Sequence, residues 1–278
     1  MCELFAASSD QPIHIRYELR AFARRGGGRF RNRDGWGIMF AQHRDAYLFK
    51  EPAAATESPL ERLVAKHAPP ARLIMAHVRL ATAGGALLAN THPFRRETFG
   101  RVLHFAHNGN LPGLAARFAA SEAAVNCVGE TDSELAFMLL LERLRSLEPG
   151  ATPEQRFAVF TAFCAEMRAE GTANFLFTDG EQLFVHAHKR RYEENGVFSE
   201  PRAPALHMRT LVPGDDHWAT DGAEVVSAPG TAVLLASVPL DKEAWTGLAE
   251  GTTLLIEHGR VRCSAVGGDG LEPPTLSV

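Results

Sequence analysis

The chain has 278 residues, with 29 Lys and Arg against 33 Asp and Glu, for a formal net charge of −4. Hydrophobic residues make up 45% and charged residues 22%, which excludes a disordered, collagen-like or strongly basic chain. A chain this long buries about three quarters of its unfolded surface and can build a sizeable core.

No segment reads as an address or an anchor. Residues 1–10, MCELFAASSD, carry acidic residues and no basic start, so no secretory leader is expected. The longest apolar runs, Ala136–Leu141 and Ala232–Ala236, fall far short of the ~18 residues of a membrane span. Cys2, Cys127, Cys164 and Cys263 are scattered with no Cys-x-x-Cys pair. No disulfide framework follows, and the expected setting is a reducing cytoplasm.

In chain order, the first expected strands are Gly37–Phe40, Leu73–His77 and Val102–Ala106. Thr131-Asp132-Ser133-Glu134 reads as a capping box opening a helix, with Leu135, Met138, Leu139 and Leu144 on roughly one face. Thr152-Pro153-Glu154-Gln155 repeats the device with Pro at the first helical position. That helix carries Phe157, Phe160, Cys164 and Met167 and stops at Gly171. Strands Asn174–Thr178 and Gln182–Ala187 follow, joined at Asp179-Gly180. Thr231–Ala236 and Thr253–Glu257 come next, and His258-Gly259 turns the chain into a short strand, Val261–Cys263. With no repeat and no long linker, the reading is one layered α+β domain over residues 1–262 and a loose tail over 263–278.

Four features carry chemistry. Removal of Met1, expected ahead of a small residue, would leave Cys2 with both a thiol and a free α-amine. The reference pKa of such an amine, about 7.7–8.0, lets it serve near neutral pH as base for a thiol of about 8.5. His107-Asn108-Gly109-Asn110 ends an apolar strand; an Asn side-chain amide beside an unhindered Gly N–H can hold an oxyanion, or simply form a tight turn. Arg79 closes another strand, ahead of Thr82 and the Gly84-Gly85 loop. A guanidinium there suits a carboxylate, from a ligand or from a strand-end salt bridge. Asp132 lies in the first turn of a helix, where the helix dipole favours an ionised carboxylate that could receive an ammonium or merely compensate the dipole.

Taken in order, these pieces resemble the class II glutamine amidotransferases. The matching motifs are Met1-Cys-Glu-Leu4, Asp34-Gly-Trp-Gly37, Arg79-Leu-Ala-Thr82, Asn90-Thr-His-Pro-Phe94, His107-Asn-Gly-Asn110 and Thr131-Asp-Ser-Glu134. The wording is most similar to the stand-alone YafJ-type subgroup. The resemblance implies an N-terminal nucleophile hydrolase fold, a four-layer αββα sandwich. It implies Cys2 as nucleophile and Asn108 with the Gly109 N–H as oxyanion hole. Arg79, Thr82 and Asp132 would hold the substrate. Glutamine, or a γ-glutamyl compound, is then split through a γ-glutamyl thioester without metal or organic cofactor. The chain is too short for the synthase half of bifunctional relatives. Ammonia therefore passes to a separate synthase, or the substrate is a γ-glutamyl amide or peptide cleaved by water. A silent glutamine-binding subunit is the rival from another class. Ala83 stands where glucosamine-6-phosphate synthases of this class carry His, so their acceptor-triggered lid is not carried over.

Other features are set aside. Residues 24–33 hold five Arg beside Phe30, but the chain is acidic, so a rim of the active site is preferred to an RNA contact and no nucleic-acid partner is expected. Asp34 and Trp36 read as supporting residues. His186 and His188 lack a third metal ligand at suitable spacing. His92 and His107 are read as orienting hydrogen-bond groups.

Overall fold

The computed structural model describes residues 2–17, 31–147, 150–194, 196–213, 218–220, 223–225, 230–240 and 245–267. Residues 24–30 of the Arg-rich segment and 268–278 of the tail lie outside them. The early strands are β1 Glu3–Ile13, β2 Ile15–Tyr17, β3 Gly35–Gln42, β4 Asp45–Glu51, β5 Ala71–Arg79, β6 Phe94–Thr98 and β7 Arg101–Asn110. The later ones are β8 Thr172–Thr178, β9 Gln182–His186, β10 Glu193–Glu194, β11 Val197–Phe198, β12 His207–Leu211, β13 Trp218–Thr220 and β14 Ala223–Val225. β15 Ala232–Ala236, β16 Thr246–Gly247, β17 Thr253–Glu257 and β18 Arg260–Ala265 complete the set. The helices are α1 Pro59–His67, α2 Leu114–Arg117, α3 Glu122–Val125, α4 Asp132–Arg145 and α5 Pro153–Glu170.

Two antiparallel sheets stack face to face. One has seven strands in the order β16-β12-β15-β1-β5-β3-β4, and the other six in the order β18-β17-β9-β8-β7-β6. Between them lies an apolar layer that includes Leu4, Ala6, Met39 and Met75 from the first sheet and Leu176, Val185 and Ile256 from the second. On the outer face of the six-stranded sheet, Phe105, Phe175, Phe177 and Phe184 pack with Phe137 of α4 and Phe157 and Phe160 of α5. Phe105 and Phe137 stack with ring centroids 5.2 Å apart. The outer face of the seven-stranded sheet is covered by Val64 of α1 and by Leu240 and Trp245. These are the layers of the four-layer αββα sandwich, with the fourth layer thin among the described residues.

The sequence explains the local pieces. β1 runs between β15 and β5, and both of its faces are buried: Phe5 and Ala7 on one side, Leu4 and Ala6 on the other. A strand buried on both faces loses polar alternation, so Leu-Phe-Ala-Ala-Ser-Ser gives no period-2 signal. α5 opens with the expected reciprocal capping box between Thr152 and Gln155. At α4 only half of the expected box forms. Thr131 accepts from the Glu134 N–H, whereas the Glu134 carboxylate accepts from the N–H groups of Val128 and Gly129 and pairs with Arg96. The glutamate is drawn from the cap because two N–H groups of the preceding loop and the Arg96 guanidinium of β6 outcompete one cap N–H. His258 (φ 48°) and Gly259 (φ 72°) make the tight two-residue turn between β17 and β18. β18 continues to Ala265, three residues past the boundary expected at 262. No helix among the described residues is long and apolar enough to cross a membrane.

Candidate active site

The nucleophile candidate sits at the head of β1. Glu3 pairs with Val78 of β5, which sets Cys2 beside the end of that strand. The half-buried Cys2 thiol donates to the Leu80 carbonyl at 3.3 Å and accepts from the Leu80 N–H at 3.2 Å. Burial pushes the thiol pKa up, and the Leu80 N–H bond pulls against that rise. Asp34 fixes the same stretch: its carboxylate accepts from the Ala81 N–H at 2.8 Å, and Gly35 pairs with Arg79. Trp36 is fully buried and donates to Glu51 at 3.2 Å. Both are supports, as expected.

The oxyanion candidates come from the other sheet. β7 ends in Asn108-Gly109-Asn110, paired with Asn174-Ala173-Thr172 of β8. A Cβ on Gly109 would lie 1.8 Å from the Thr172 carbonyl oxygen and 2.4 Å from His107 Nε2, so only glycine permits this approach. Asn108 is buried and donates through Nδ2 to Ser237 Oγ at 3.2 Å. Ser237 Oγ also accepts from the Leu4 N–H at 2.9 Å. One hydroxyl therefore ties the strand of Cys2 to the strand of Asn108 across the two sheets. Asn174 is also buried and donates to the Asn108 carbonyl at 2.8 Å.

Cys2, Thr82, Asn108 and Gly109 line one cavity of about 480 Å³, which Arg191 and Phe198 also border. Arg79 and Asp132 stand outside that lining. The buried Arg79 guanidinium donates to the carbonyls of Ala83 at 2.8 Å and Gly85 at 3.0 Å. It has no carboxylate partner among the described residues, so the strand-end salt bridge is not formed within them. Asp132 accepts from the Leu111 N–H at 2.6 Å and from Ser133 Oγ at 3.2 Å. Both are near enough to act on the Cys2 thiol, Arg79 lowering its pKa and Asp132 raising it.

Of the two motif histidines expected to orient by hydrogen bonds, His107 does so and His92 does not: both ring nitrogens of His92 are buried without a hydrogen-bond partner among the described residues. His107 shares hydrogen bonds with Ser133 Oγ at 2.9 Å and the Thr172 carbonyl at 3.0 Å, tying α4 to β8. Its pKa is lowered by burial, against the upward pull of Asp132. His92 stacks on His77 at 4.2 Å, and burial holds both well below the usual imidazole value. His186 is bonded to Thr253, and His188 accepts from the Ala173 N–H and lies against Glu250. Among the described residues no cluster of three or more potential metal ligands forms.

Sequence reasoning missed Ser237, Asn174, Arg191 and Phe198. None lies in a short motif, and each reaches the site from more than 60 residues beyond Asn108. Only Arg31 gave a signal. Arg31, within the Arg-rich segment expected to form a rim, lies over the Phe198 ring at 5.3 Å.

The model of the class II glutamine amidotransferases matches residues 1–269. The chain is 37% identical over 255 residues to YafJ of Escherichia coli K12, named as an inferred glutamine amidotransferase; the match covers 90% of this chain and 95% of that one. It also resembles the crystal structure of a predicted glutamine amidotransferase from Pseudomonas aeruginosa PA01, with a TM-score of 0.68 and 30% identity over 94% of this chain and 99% of the other. The fold alone is shared with glutamine phosphoribosylpyrophosphate amidotransferase of B. subtilis, at a TM-score of 0.60 and 18% identity, over 97% of this chain and 50% of that longer one. The chain belongs to the class II glutamine amidotransferases, a family of enzymes.

Proposed function

We propose that the chain hydrolyses the side-chain amide of glutamine to glutamate and ammonia through a γ-glutamyl thioester on Cys2. The carrying observation is that Cys2, Asn108 and Gly109 border one cavity although they come from two different sheets. With Met1 removed, the α-amine of Cys2 takes the thiol proton as sulfur attacks the γ-carbonyl carbon. The oxyanion that forms is met by Asn108 Nδ2 and the Gly109 N–H, donors held in place before the charge develops. The amine then delivers the proton to the departing nitrogen. Water, deprotonated by the same amine, opens the thioester and restores the thiol. Arg79 and Asp132, of opposite charge, suit the α-carboxylate and α-ammonium of the substrate, and Thr82 stands on the cavity wall to help hold it. The ammonia goes to water or to a separate synthase.

Incubation with 6-diazo-5-oxo-norleucine, read by intact mass and peptide mapping, tests this. The expected result is one adduct, on Cys2, in a chain whose first residue is Cys. No adduct, an adduct on Cys127, or a retained Met1 in active protein would falsify the mechanism.

A further inference from the structure

Glutamine releases only ammonia, yet part of the lining of the Cys2 cavity comes from the chain just before β10 and from β11 and the residues after it. Arg191, Phe198 and Pro201 supply this wall. The wall is pinned. Arg190 and Arg202 exchange backbone hydrogen bonds at 3.1 and 2.9 Å, and Arg190 donates to the Ser237 carbonyl at 2.9 Å. Glu193 of β10 pairs with Phe198 of β11, and Arg31 joins Glu193 at 3.2 Å while covering the Phe198 ring. Arg191 differs from its neighbours. Its side chain is exposed and has no hydrogen-bond or ion-pair partner among the described residues. A free guanidinium beside an apolar ring and a proline, on a fixed wall, is suited to an anionic group attached to an apolar body.

We propose that Arg191, Phe198 and Pro201 form a subsite for the amine half of the substrate, so that the preferred substrate is a γ-glutamyl amide of an amino acid with a free carboxylate and an apolar side chain. This rests on the Cys2 chemistry above and puts a larger γ-glutamyl compound in place of glutamine as the preferred substrate. Cys2 sulfur bonds to the γ-carbonyl carbon, and the carbon–nitrogen bond breaks. The amino acid leaves with the thiol proton, relayed by the Cys2 amine. Water then adds to the thioester, one of its protons returns to sulfur, and glutamate departs. An α-amino acid leaving group carries its carboxylate two bonds from the broken nitrogen, within the part of the substrate that lies beyond Cys2.

Binding separates this subsite from the chemistry. Cys2→Ala protein is titrated calorimetrically with γ-glutamylphenylalanine and with its C-terminal carboxamide, which keeps the shape and loses the charge. The acid should bind about tenfold more tightly, the scale of a hydrogen bond to a charged group. Adding Arg191→Ala should bring the two ligands level, with the thermal unfolding midpoint unchanged to show an intact fold. Equal binding before the Arg191 change, an undiminished preference after it, or no binding of either ligand overturns the subsite. In protein with Cys2 intact, kcat/KM for the acid should exceed that for the carboxamide by the same factor. If the binding preference is present but neither compound nor glutamine is turned over, the Cys2 chemistry fails and the subsite stands.

Discussion

Asn108 is held by a short chain of single hydrogen bonds. Its Nδ2 donates to Ser237 Oγ, which also accepts from the Leu4 N–H, two residues past the nucleophile. One oxygen thus sets how far the oxyanion donor stands from Cys2. A donor aimed at a developing charge contributes in the transition state and little in the ground state, so its loss falls on kcat. Asn108→Ala is expected to lower kcat by about 10²–10³ with KM little changed. Ser237→Ala leaves Asn108 in place but free to turn, and it strips the Leu4 N–H of its acceptor. Its expected cost is about tenfold in kcat, the order of one hydrogen bond, with some loss of stability. Steady-state kinetics well below the unfolding midpoint separates the two effects. A rise in KM at constant kcat would show that Ser237 shapes the pocket rather than the donor.

The pairing of β7 with β8 depends on one residue without a side chain. A methyl group on Gly109 would meet the Thr172 carbonyl oxygen at 1.8 Å and His107 Nε2 at 2.4 Å, so the strands would have to part where the site is built. Gly109→Ala is expected to cost about 1–3 kcal/mol or more in stability and to remove activity as well, measured by urea unfolding beside the kinetics. A stable, active variant would show that β7 can shift at no cost. The same elements show what a sequence discloses. α4 and α5 were legible because their hydroxyl caps and apolar faces are local signals. So were the inner strands Leu73–His77 and Gln182–Ala187, and the turn at His258-Gly259. β1 was not, because a strand buried on both faces is apolar throughout, and the small alanines that let the sheets approach also read as loop or helix. The edge strand β4 and β12 were missed for the opposite reason: Asp45–Glu51 and His207–Leu211 are too mixed to stand out. At the site, Cys2, Asn108 and Gly109 could be singled out because nucleophile and donor chemistry narrows the residue types. Ser237 and Arg191 are an ordinary serine and one arginine among many. Nothing but the fold brings Arg191 to the cavity, or Ser237 to Asn108 across 129 residues of chain.

Across the whole molecule, buried imidazoles couple stability to pH. His77, His104 and His186 are buried, and desolvation lowers each pKa from 6.5 to about 3. These rings are neutral in the folded chain at every ordinary pH, while in the unfolded chain they gain protons below about 6.5. The folded pKa is the depressed one, so the stabilisation is complete above the unfolded value and is lost as pH falls from about 6.5 toward 3. Below 6.5 each ring contributes a loss approaching about 1.4 kcal/mol per pH unit. Between pH 6.5 and 5.5 the three together cost about 3 kcal/mol, a large share of the ~5–15 kcal/mol that holds an ordinary domain together. Nearby charges modify each ring without reversing the sign: Arg79 beside His77 and Arg168 beside His186 oppose protonation, while Asp45 beside His104 only partly offsets burial and Arg95. Urea unfolding at pH 7.5, 6.5 and 5.5 should therefore give a nearly flat midpoint above 6.5 and a steep fall below it. His104→Gln should reduce the proton uptake on unfolding by about one at pH 5.5. A carboxyl group at its reference pKa, about 4, stays ionised through this window and cannot produce a loss confined to it. A midpoint that stays constant down to pH 5.5 would mean that these rings admit protons in the folded chain, and that the layer around His77 and His92 is open to water.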